Sequence, residues 1–286
     1  MTIVQALLGL LLVCGVVMLA AWVAAARRHR QGLAPPRALH ALIGLVVNFF
    51  DTLGIGSFAT TTAAFRLMRL VPDELIPGTL LVGLALPVIA QALIFITVVE
   101  VDPVQMAILI ASCVTGGWLG AGVVASLPRR TIQVAMGLAL TVAAALMLAG
   151  MFGWFPAGGA ATTFSPSAFV VAVVVSVVLG ALLTIGIGNY APSLIVFSLL
   201  GMDPRAAFPI MMGSGAFVAT VAGARFIARA RFDSRAAIGL TLGGIPGVLI
   251  AAWFVQSLPL DALRWVVLAV VLYSAMSLLR AARRPH

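Results

Sequence analysis

The chain has no lysine, two cysteines, two tyrosines and three histidines. Charge of either sign is scarce: 9% of the residues are charged and 63% are hydrophobic. A water-soluble domain carries roughly 25% charged residues. This deficit excludes a soluble globular protein and fits an integral membrane protein. Cys14 and Cys113 both lie inside apolar runs, so no disulfide framework or zinc spacing exists. His29 and His40 flank a basic linker and His286 is terminal. With no histidine mid-span and no reactive-cysteine constellation, metal or haem ligation and an intramembrane enzyme are disfavoured. No nucleotide-binding motif occurs, and no cofactor is expected.

What remains is a succession of apolar runs, many of 18 residues or more, the signature of membrane helices rather than of a barrel. The net charge of +9 comes from arginines clustered in short loops. Such clusters follow the positive-inside rule, so the partner they imply is a lipid bilayer and not nucleic acid. The expected fold is an all-α integral membrane bundle of one transmembrane domain, residues 1–286.

A first span covers 2–26. It lacks a basic residue ahead of it and is longer than a signal-peptide core, so a retained helix is expected. An interrupted segment covers 39–69, followed by spans at 75–99, 103–125 and 131–151. After a charge-free loop at 152–167 comes a second interrupted segment, 168–200. Spans at 206–228, 236–256 and 261–280 complete the chain.

The two interruptions match. TLGIGSFATT at 52–61 aligns with TIGIGNYAPS at 184–193, an offset of 132. The same offset pairs Pro72 with Pro204, Pro77 with Pro209 and Gly83 with Gly215. Further on, Gly116, Gly117 and Gly120 pair with Gly243, Gly244 and Gly247, and Ser126-Leu127-Pro128 with Ser257-Leu258-Pro259. Residues 40–150 and 168–280 therefore read as two copies of one unit, with 2–26 added.

If each interrupted segment re-enters on one side, 15 arginines face the cytoplasm and two, Arg205 and Arg264, lie outside. If both cross fully, the split is 11 to 6. The first arrangement satisfies the positive-inside rule better. It makes the copies inverted repeats, each with a broken or re-entrant helix, in a bacterial-type plasma (inner) membrane with the C-terminus in the cytoplasm. The alternative is two long, tilted, kinked spans.

Non-helical backbone at membrane depth is tolerated only when buried in protein or lining a wet cavity. Two related breaks suggest one shared cavity, as in transporters with discontinuous helices. Each second half-helix begins with free N–H groups at the positive end of its dipole, which suits an anion. The candidate substrate-binding residues are Gly54, Gly56, Ser57, Phe58, Thr60 and Thr61 in the first break, and Gly186, Gly188, Asn189, Tyr190 and Ser193 in the second. The glycines allow the turn; the hydroxyls and the amide add donors. Close helix packing is the bland explanation for a single Gly-x-Gly. Gln91, well inside a span, either lines the cavity or bonds another helix. Asp51 is the acid placed within the membrane, and its counterpart by offset is Leu183. It reads either as a proton-coupling or gating group or as an acceptor for N–H groups at the break.

The stretches FFDTLGIGSFATTTAAF, VPDELIPGTL, GNYAPSLIVFSLLGM and AAFPIMM resemble the TauE/SafE sulfite exporter family. The resemblance covers roughly residues 40–280. It implies a membrane transporter of sulfite, sulfonates or similar sulfur-containing anions, with a glycine-rich break in both halves. The family pattern carries onto Gly54, Gly56, Gly186 and Gly188. It departs at Ser57 and Asn189, where many members have longer glycine runs.

The expected function is thus secondary transport of a small anion by alternating access, with protons as a possible coupling ion. An anion channel of the same architecture, or an intramembrane assembly or enzymatic protein, is the alternative. The sequence specifies no oligomeric state.

Overall fold

The computed structural model describes residues 2–28, 35–53, 56–154, 159–185 and 188–254, together with 268, 272, 275, 276, 279, 280, 282 and 283. Eleven α-helices are described: α1 Ile3–Arg28, α2 Ala38–Thr52, α3 Ser57–Leu67, α4 Ile76–Gly83, α5 Ala85–Val98, α6 Pro103–Val124, α7 Arg129–Met151, α8 Pro166–Leu183, α9 Tyr190–Leu199, α10 Pro204–Ala228 and α11 Ser234–Phe254. A 3-10 turn, Asp73–Leu75, leads into α4. Among the described residues, seven helical stretches are long and apolar enough to cross a membrane. The protein is an all-α polytopic membrane protein. The expected span at 261–280 and the anchor Ser257-Leu258-Pro259 lie, mostly or wholly, outside the described residues.

The two interrupted segments break where the glycines lie. α2 ends at Thr52 and α3 starts at Ser57; α8 ends at Leu183 and α9 starts at Tyr190. Both segments fold back. His40, near the start of α2, has its ring 6.1 Å from that of Phe65, near the end of α3. Phe164, just before α8, sits 5.4 Å from Phe197 of α9. Each pair therefore makes a hairpin whose tip is the break. At 15 and 11 residues, α2 and α3 are each too short to cross a bilayer.

Glycine lets the helices cross closely, and the crossings come in matched pairs. α2 packs along α11, where Gly243 lies against the Ala41 carbonyl and Gly247 against Leu45. α8 packs along α6, where Gly116 lies against the Val177 carbonyl and Gly120 against Ala181. Gly44 meets Leu240, and Gly180 meets Cys113 in the same way. A side chain at Gly116, Gly180 or Gly243 would land on a backbone carbonyl. The first arm of each hairpin thus packs on a helix that follows the other hairpin.

The contacts also give directions. α2 is parallel to α11 (41 to 243, 45 to 247), and α6 to α8 (116 to 177, 120 to 181). α10 runs parallel to α6, with Gly213 at Ile110 and Gly117 at Val218, and antiparallel to α4–α5, with Gly223 at Leu81 and Gly215 at Val88. α4–α5 runs parallel to α11, with Gly83 at Ala237 and Gly244 at Pro87. Hence α2, α4–α5 and α11 point one way, and α6, α8 and α10 the other. The bends have local causes. Pro87 cannot donate to the Gly83 carbonyl four residues back. Thr241 Oγ1 of α11 donates to that carbonyl instead, at 2.8 Å.

Candidate functional site

Gly56 has φ +90°, a conformation that side chains other than glycine rarely adopt. It turns the chain so that α3 starts back from the tip with its N–H groups facing inward. The hydroxyls of Thr60 and Thr61 donate to carbonyls of the same turn, Gly56 and Ser57 for the first and Ser57 for the second. Thr52 Oγ1 donates to the Asn48 carbonyl at 2.8 Å on the α2 side. The ends of both half-helices are thereby held by their own side chains.

Asp51, Gly56, Ser57, Phe58, Val88, Gly188, Asn189, Tyr190 and Gly215 line one cavity between the two tips. The cavity measures about 10 Å³, room for about one water, so the site is closed in this conformation. Asp51 is 1% exposed, and its carboxyl lies beside Ser57, the first residue of α3.

Gln91, fully buried on α5, joins the two breaks. Its Nε2 donates to Asp51 Oδ2 at 3.0 Å and to Thr52 Oγ1 at 2.9 Å. Its Oε1 accepts from Tyr190 Oη at 3.0 Å. The result is a continuous chain, Tyr190–Gln91–Asp51, from the start of α9 to the end of α2. Buried polar groups left without partners cost about 1–3 kcal/mol each, which explains why the chain is fully paired. Asn189 Nδ2 donates to the Met211 carbonyl of α10 at 3.1 Å. This ties the second tip to the helix carrying Gly215.

Of the residues expected from sequence, Gly56, Ser57, Phe58, Gly188, Asn189, Tyr190 and Asp51 meet at the cavity. Gln91 stands one hydrogen bond behind it. Thr60, Thr61 and Ser193 are not among the lining residues; the two threonines are engaged with their own helix. Gly54 and Gly186 lie outside the described residues. Val88, Gly215 and Thr52 were not expected. Gly215 carried a signal, its pairing with Gly83 at the repeat offset; Val88 carried none beyond lying three residues before Gln91 on the same helix face.

Two broken segments of a helical membrane protein thus converge on one small buried cavity. Residues 168–286 match the family model described as Sulfite exporter TauE/SafE. The match covers the second interrupted segment and the helices after it, and supports the transporter class. Comparisons with curated proteins and with solved structures found no match.

Proposed function

We propose that the protein is a secondary transporter that moves a small anion, of the sulfite or sulfonate kind, by alternating access. The observation that carries this reading is the meeting of two half-helix N-termini, at Ser57 and Tyr190, in one buried cavity. N–H groups there can hold an oxyanion without a cationic side chain. The match of the second half to a sulfite exporter family supports the sulfur-containing class. The closed cavity favours a carrier over an open channel, because a carrier passes through an occluded state.

In this reading residues 40–150 and 168–280 are inverted repeats, and Asp51 is the proton-coupling or gating group. The opposed directions of α2 and α8, α5 and α10, and α6 and α11, with the exchanged glycine crossings, support the inversion. The end of the bundle carrying Arg66, Arg69, Arg130, Arg229, Arg231 and Arg235 faces the cytoplasm, by the positive-inside rule. The membrane would be a bacterial-type inner membrane.

Two measurements test the proposal. Thermal-shift screening of the purified protein against sulfite, thiosulfate, sulfonates and carboxylates should show stabilisation by the sulfur oxyanions. In liposomes those anions should then drive saturable counterflow; a linear, unsaturable flux would make the protein a channel. A cysteine replacing the exposed Pro72 should react from the cytoplasmic side. Reaction from the periplasmic side only would remove the re-entrant orientation.

A further inference from the structure

Asp51 occupies the position that a bound anion would want. Its carboxyl lines the cavity beside Ser57, the first residue of α3. The residues lining the cavity include no cationic side chain. Two negative charges about 4 Å apart at an effective dielectric of 20 cost roughly a thousandfold in affinity. The groups facing Asp51 are Ser57 of α3, Gln91 of α5 and Tyr190 of α9, of which only Tyr190 titrates. α11, which also packs along α2, has its charge, Arg235, at the end near His40, far from the tip.

Gln91 links this carboxyl to the second break, and the direction of its hydrogen bonds matters. With Asp51 ionised, the carboxylate can only accept, so Gln91 must offer it Nε2. Oε1 then faces Tyr190 and consumes the hydroxyl proton, as observed. With Asp51 protonated, its O–H can donate to Gln91 Oε1. The amide turns over, Nε2 donates to Tyr190 Oη, and the Tyr190 proton is released toward the cavity. Thr52 Oγ1, which accepts from Nε2 in the observed state, then turns its hydroxyl from the Asn48 carbonyl to donate to Oε1.

Resting on the anion-transport reading above, we propose that the charged anion and ionised Asp51 exclude each other from this cavity. One proton then enters Asp51 for each anion bound, and Gln91 converts that proton into a free donor on Tyr190. The proton comes from solvent and adds to a carboxylate oxygen; no other bond breaks. Anion and proton then travel together, and a monovalent anion moves without net charge.

The test uses methanesulfonate, which stays ionised across the range studied, with full-length protein in detergent. Wild-type affinity should rise about tenfold per pH unit as the pH falls, until Asp51 is protonated in the free protein and the rise levels off. Binding in weak buffer should take up one proton per anion. Asp51→Asn should bind at about pH 8 as tightly as the wild type does at about pH 5, with no pH dependence. Tyr190→Phe should keep the pH slope and lose about tenfold in affinity at low pH. Wild-type binding without proton uptake, or an unchanged slope in Asp51→Asn, overturns the inference and leaves the anion reading standing. Failure of both proteins to bind methanesulfonate, thiosulfate or sulfite at every pH overturns the anion reading, and this inference with it. The proton-uptake arm needs only the wild type, so the result does not depend on the folding of a variant.

Discussion

The break after α2 and the break after α8 share a Gly-Ile-Gly core, but they are built differently. The first carries a buried carboxylate, Asp51, beside Ser57 and bonded to Gln91. The second has Leu183 at the matching offset and instead extends Asn189 and Tyr190 outward, to Met211 on α10 and Gln91 on α5. One tip carries an ionisable group; the other is held by neutral hydrogen bonds to its neighbours. The crossings behave oppositely: α2 on α11 and α8 on α6 use the same glycines in the same order. The packing of the two hairpins is matched while the centre between them is asymmetric, and the proposed mechanism needs that asymmetry, one tip to sense a proton and the other to respond.

The largest expected effect tests the symmetric part. Gly116→Val and Gly243→Val each push a side chain into a carbonyl of the partner helix, costing about 3 kcal/mol or more. Detergent melting curves should show similar losses for the two. A large loss for one only would break the equivalence of the crossings. Next comes Gln91→Leu, which strands Asp51 and Tyr190 together. It should cost about 3 kcal/mol in the same assay and abolish transport in liposomes.

Smaller effects sharpen the difference between the copies. In the first, Asp73 pairs with Arg66 and accepts from Gln133 Nε2 at 2.8 Å, fastening the end of α3 to α7. At the matching position of the second copy stands the exposed Arg205. Asp73→Asn should therefore cost about 1 kcal/mol, since it weakens the bonds that Asp73 accepts from Arg66 and Gln133. Arg205→Ala should stay within about 0.5 kcal/mol. Urea or thermal unfolding distinguishes them, and equal costs would deny the first copy its extra fastening. The smallest effect is Asn189→Ala, which removes one buried hydrogen bond and should cost about 1 kcal/mol in melting. It should leave the pH profile of transport intact, whereas Asp51→Asn should flatten that profile and leave folding intact.

Most of the scaffold was legible before any coordinates. Apolar length locates spans because a bilayer demands about 20 residues of helix. The glycine repeat locates the breaks, because few other residues permit such turns. Thr60 and Thr61 show where such reading stops. Hydroxyls in a glycine-rich stretch look like ligands, but in a helix the nearest acceptor is the carbonyl one turn back, and both side chains take it. Val88 shows the opposite limit, since an aliphatic residue in an apolar span carries no mark of a cavity.

The sequence alone determined the membrane class and the two breaks, since each depends on local composition and spacing. Gln91 needed the tertiary structure. Its side chain lies 40 residues from Asp51 and 99 from Tyr190 in the chain, and no local pattern distinguishes a bridging amide from one that bonds a neighbouring helix. Only the folding back of both broken segments onto α5 brings three separate polar groups within hydrogen-bonding distance and makes two half-sites into one.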